Sequence, residues 1–116
     1  MGEYEILYKM FGALQALERS LQISKRTIEI NVSLPERIVK NVFEQERIIR
    51  EMQKISNIVQ AEFATKEGSE LNKLVRMFYS LHYMVSPEIT STLEEINGSI
   101  ISNDLLNNSE QTVTLQ

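Results

Sequence analysis

An all-α fold is predicted, an antiparallel helical hairpin or bundle of three to four helices with coiled-coil character, and three observations carry it. Leu7, Leu14, Leu21 and Ile28 recur at seven-residue spacing with Met10 and Leu17 between them, the heptad pattern of a helix that packs along one seam. Ile38, Val42, Ile49, Met52, Val59 and Phe63 repeat the pattern downstream. Four glycines and two prolines among 116 residues are too few for the closely spaced turns of a sandwich or barrel.

The first helical segment runs from about Glu3 to Asn31, and Ser24 and Asn31 give its stripe a polar end. Gly12 costs ~1 kcal/mol against Ala inside a helix; it reads either as a neutral surface position or as a place of close helix approach. The β-branched run Thr27–Val32 weakens the helix. Ser33-Leu34-Pro35-Glu36 then reads as a capping box, with Ser33 and Glu36 satisfying open backbone N–H groups at the start of the next helix.

The second segment spans about Pro35 to Lys66, interrupted on its stripe by Gln45 and Ser56. Val39, Phe43, Ile48, Ile55 and Ile58 widen the apolar face enough to touch more than one neighbour. The other side carries i,i+4 pairs such as Glu36–Lys40 and Glu46–Arg50, as a solvated face does. Gly68 reads as a helix stop and Ser69 as the next cap. Leu71, Leu74, Val75, Phe78, Leu81 and Val85 form a third stripe over Glu70–Val85. Ser86-Pro87-Glu88 either starts a fourth helix or kinks a continuous one. Ile89, Leu93 and Ile96 line the apolar side beyond it, and Asn97-Gly98 reads as its end. The domain reading is therefore one bundle over residues 1–98 and a flexible polar tail over 99–116. Long thin helices with wide apolar faces bury little surface on their own, so a partner is expected, most simply a second copy.

Twelve basic and sixteen acidic residues leave a net charge of −4, unevenly spread. Residues 1–76 hold all the Lys and Arg, whereas residues 77–116 hold none and carry Glu88, Glu94, Glu95, Asp104 and Glu110. No basic stripe emerges, so no direct nucleic-acid binding is expected. No apolar run approaches the length of a membrane span. Met1-Gly2-Glu3-Tyr4-Glu5 lacks the basic start of a signal peptide, and Ile6 stands where N-myristoylation wants Ser or Thr. An intracellular setting, cytoplasmic or nuclear, is the expectation, in which the sequons at Asn31, Asn97 and Asn107 go unglycosylated.

Catalytic chemistry needs convergent nucleophiles, bases or metal ligands. The chain has one His and no Cys, lacks E-x-x-H and H-E-x-x-H, and scatters its glycines at positions 2, 12, 68 and 98, where they form no phosphate loop. No catalytic residue, metal, cofactor or small-molecule substrate is expected. His82-Tyr83-Met84-Val85-Ser86-Pro87 is similar to the phospho-acceptor helix of sensor histidine kinases, in which a Pro follows the His by five residues. The pattern departs where Tyr83 replaces that family's acidic residue and Val85 its basic one. The resemblance implies a signalling or phosphorelay bundle using His82 as the alternative function.

The principal expectation is a non-enzymatic protein–protein interaction module: a small scaffold subunit, adaptor or chaperone-like protein acting through helix packing. Met77, Phe78, Tyr79, Tyr83 and Met84 would supply apolar anchors, and Glu94 and Glu95 charge that selects the partner. The competing arrangement puts these aromatics inside the bundle.

Overall fold

Three helices, α1 (Gly2–Ile30), α2 (Glu36–Glu62) and α3 (Gly68–Leu115), pack pairwise in the computed structural model, and the described residues contain no strand. The structure describes the backbone of residues 2–30, 33–63 and 68–115 and the side chains of residues 4–30, 33–63 and 70–98. The direction of each helix follows from its cross-helix contacts. Glu18 meets Gln53 and Lys25 meets Glu46, so α2 runs against α1. Arg37 meets Glu95 and Gln45 meets Glu88 and Thr92, so α2 also runs against α3. α1 and α3 are therefore parallel to each other, with α2 antiparallel to both.

The heptad residues are the core. Met10, Leu14, Leu17 and Leu21 of α1 meet Val42, Ile49, Met52, Ile55 and Val59 of α2 and Phe78, Val85 and Ile89 of α3 in one buried cluster. Each such side chain contributes ~1.5–3 kcal/mol when withdrawn from water. A smaller cluster of Leu34, Ile38 and Ile96 closes the end of the bundle, with Ile28 packed against it. Along α1 and α3 the two clusters are separated by buried Ser24 and Thr92. Gln45, buried on α2, donates from Nε2 to Thr92 Oγ1 at 2.8 Å and to the Glu88 carbonyl at 3.3 Å. Gln45 and Thr92 thus pair across the core and tie α2 to α3 in one register.

The turn into α2 differs from the sequence expectation. The cap position is Pro35, with φ −57° and ψ 142°, and no side-chain bond caps the helix. The Pro35 carbonyl accepts from the N–H groups of Ile38 and Val39 at 3.0 and 3.4 Å. Glu36 pairs with Lys40 at 3.6 Å. Burial explains the change: Leu34 packs with Ile38 and Ile96, and this apolar anchor sets the path of the turn.

α3 holds two further corrections. Gly68 is its first residue, not the stop of α2, which ends at Glu62. The helix continues through both expected breaks, at Ser86-Pro87 and at Asn97-Gly98, so there is no fourth helix. Pro87 lies on the exposed face, and having no N–H it leaves the Tyr83 carbonyl without its usual helical donor. Thr90 Oγ1 donates to the Ser86 carbonyl at 3.1 Å across the same turn. At the second break, buried Ile96 holds the helix against Leu34 and Ile38, and Gly98 keeps negative φ. The expected polar tail falls on residues whose side chains lie outside the described set, while the helical backbone runs on through residue 115.

The molecule measures 72 × 27 × 18 Å with a radius of gyration of 19.4 Å. A compact chain of this size would have a radius near ~13 Å. At 1.5 Å per residue α3 alone spans about 72 Å, against roughly 44 and 40 Å for α1 and α2. Its C-terminal part therefore extends beyond the other two helices.

Leu14→Ala or Ile49→Ala is expected to cost ~2–5 kcal/mol in chemical denaturation, since both side chains lie in the core. Gly12→Ala should stabilise by roughly 0.5–1 kcal/mol, because a Cβ at Gly12 would meet nothing within 4 Å; an unchanged or lower midpoint would contradict the open surface position assigned to it.

Candidate interaction surface

The helical screw of α3 divides the predicted partner-binding residues among three positions. Phe78 points inward and is fully buried, so it cannot meet a partner while the bundle is folded. Met77 and Met84 are 54% and 53% exposed and lie two turns apart on one lane. Glu88 and Glu95 continue that lane at helical spacing, and it flanks α2, since the Glu88 carbonyl accepts from Gln45 and Glu95 pairs with Arg37 at 3.1 Å. Glu95 is thus committed to the bundle, whereas exposed Glu94 is in no ion pair among the described residues.

A second lane lies about 100° round the helix from the first. Tyr79 is half-buried and stacks edge-on against Phe78 with ring centroids 5.3 Å apart. Tyr83 is 72% exposed and sits 6.2 Å from Tyr79 and 5.6 Å from His82, centroid to centroid. His82 is half-buried, with Nδ1 enclosed and without a hydrogen-bond partner among the described residues. Burial, and secondarily the neighbouring Tyr83 hydroxyl, raise the Tyr79 pKa above 10.0. The aromatics are therefore divided: Phe78 belongs to the core, Tyr79 straddles its edge, and Tyr83 is an outward anchor.

α1 contributes a face that the sequence reading passed over. Ile23 and Ile30 are exposed and alternate with exposed Arg19 and Arg26 at helical spacing. Among the described residues, neither arginine is in an ion pair. The signal was present as Arg19, Ile23, Arg26 and Ile30, spaced four, three and four, opposite the leucine stripe. It is weaker than the heptad because charge and apolar character alternate along it.

Between α1 and α2 an open groove of about 200 Å³ is lined by Glu18, Gln22, Lys25, Glu46, Arg50 and Gln53 among others. Its charges are consumed internally. Glu46 receives Lys25 at 2.7 Å and also pairs with Arg50. The hydrogen bond from Lys25 is the main reason the Glu46 pKa falls below 4.5; partial burial opposes it, and the Lys25 and Arg50 charges add to it. Among the described residues, no group of three or more His, Cys, Asp or Glu side chains could hold a metal ion. Within the same set, no helix is long and apolar enough to cross a membrane.

Comparison of the chain with protein-family models, with curated proteins and with solved structures finds no match.

The lowered pKa of Glu46 fixes a sign. The Lys25–Glu46 contact stabilises the fold above the carboxyl's unfolded pKa and is lost as pH falls through the depressed folded value. Glu46→Gln should therefore lower stability at pH 7 and make the loss between pH 5 and 3 shallower than in the unmodified chain, as read from denaturation midpoints across that range. Parallel pH profiles for the two proteins would refute the assignment.

Proposed function

We propose that the protein is a non-enzymatic interaction module, a small scaffold, adaptor or chaperone-like subunit that works through helix packing. The observation that carries this reading is the set of large apolar side chains left in solvent on an elongated bundle whose core is already filled. Met77, Tyr83 and Met84 of α3 and Ile23 and Ile30 of α1 are all more than half exposed. Such side chains are the usual anchors of an interface, because covering them releases water at little conformational cost for the rigid aromatic ring. Met adds adaptability to the patch through its flexible thioether. The acidic surroundings on α3, with Glu88 and Glu94 exposed, favour a partner that presents an apolar groove rimmed by Lys or Arg. His82 serves in this reading as packing at the edge of the bundle, and its buried Nδ1 is consistent with that use.

The test is a pull-down from the native source with the unmodified chain and with Tyr83→Ala, followed by kinetics on the captured partner. Tyr83→Ala should leave the thermal midpoint within about 0.5 kcal/mol of the unmodified protein, the range of surface changes, and speed dissociation about tenfold or more, the hot-spot range. Raising salt should mainly slow association, because exposed charges are screened over ~8 Å at physiological ionic strength. A variant that loses stability and keeps full binding would place Tyr83 inside the fold and overturn the reading. Incubation with a small phosphodonor should leave His82 unmodified by mass spectrometry; a phosphohistidine would favour the phosphorelay alternative.

A further inference from the structure

The outer faces of α1 and α3 are complementary to each other. On α1, Arg19, Ile23, Arg26 and Ile30 follow one another at steps of four, three and four residues. On α3, Tyr83, Pro87, Thr90 and Glu94 follow at the same steps, and all four are exposed. The charges are opposite. Every charged residue of the chain from position 77 onward is acidic, and Arg19 and Arg26 form no ion pair among the described residues. Within one chain the two faces cannot meet, because α1 and α3 lie side by side and parallel, both turned outward.

We propose that these faces bind each other between two copies of the chain, α1 of one copy lying antiparallel on α3 of the next. The orientation follows from the order of residues. Aligned antiparallel, Arg19 falls opposite Glu94 and Ile30 opposite Tyr83, charge on opposite charge and apolar side chain on ring. Ile23 then faces Thr90, and Arg26 faces Pro87. Aligned parallel, Ile30 would fall on Glu94 and Arg19 on Tyr83, which strips water from the carboxylate with no partner for it. The Pro87 position adds a specific contact. A proline has no N–H, so the Tyr83 carbonyl one turn before it lacks its usual helical donor. A guanidinium brought opposite Pro87 has donors to spare for that carbonyl.

The contact joins unlike faces, so each copy in a pair keeps one face of each kind free. Such heterologous contacts propagate into rings or open chains. This inference rests on the reading of the exposed faces as docking surfaces, and it names the occupant of two of them.

The test is sedimentation velocity of the full chain over a concentration series, with charge reversals. The unmodified protein should gain mass with concentration, past the dimer. Arg19→Glu and Glu94→Arg should each weaken self-association by about tenfold or more, and the double variant carrying both in one chain should recover to within about threefold, as a direct charge pair requires. Both positions are exposed, so circular dichroism of all variants should match. A protein that stays monomeric throughout, single reversals without effect, or a double variant as weak as the singles would each overturn the proposal. A monomer that still captures a Tyr83-dependent partner removes only this inference, whereas a chain that self-associates and captures nothing removes only the adaptor reading.

Discussion

The structure depends on the burial of one wide apolar face, that of α2, between two neighbours at once. Ile38, Val42, Ile49, Met52, Ile55 and Val59 all lie in the core, and they span most of the helix. A face of this width cannot be covered by a single helix. α1 and α3 therefore take opposite flanks of α2, both antiparallel to it, and so come to lie parallel to each other. That arrangement decides which residues remain outside, and hence which surfaces are available to a partner.

Polar residues in the seam do work that apolar ones could not. Leucines and isoleucines pack with nearly equal energy when a helix slides by a heptad, so an apolar stripe alone defines register weakly. The Gln45–Thr92 hydrogen bond exists in one alignment only. Ser24 and Thr92 interrupt the apolar core of α1 and α3 between the two clusters. Lys25–Glu46 and Arg37–Glu95 mark the same register from the rim, at lower energy because they are partly solvated.

A bundle only 18 Å across its thinnest direction leaves much of each helix in water. The chain meets this with charged i,i+4 and i,i+3 pairs over most of α2. α1 has Glu5–Lys9, but among the described residues Arg19, Arg26 and Glu94 are in no ion pair, and Ile23, Ile30, Met77, Tyr83 and Met84 stand in solvent. α2 also leaves Phe43 and Ile58 exposed, but its charges are largely paired; unpaired charges beside exposed apolar side chains are the physical basis for assigning interaction to α1 and α3.

The heptads fixed helix identity, the buried stripes and the inward direction of Leu14 and Ile49, because 3.6-residue periodicity and apolar burial are both properties of local sequence. Their polar interruptions were legible too, although not which of them would pair. The breaks differ from expectation. Pro87 and Gly98 are helix breakers by propensity, worth at most a few kcal/mol each, and burial of Phe78, Val85, Ile89 and Ile96 outweighs them on α3; Gly68 opens α3. Pro35 takes the cap position because Leu34 found a buried site with Ile28, Ile38 and Ile96, and Ile96 is distant in sequence. The surface needed the tertiary structure as well. Phe78 and Tyr83 are five residues apart on one helix, and only the placement of α1 and α2 around α3 sends the first into the core and leaves the second in water.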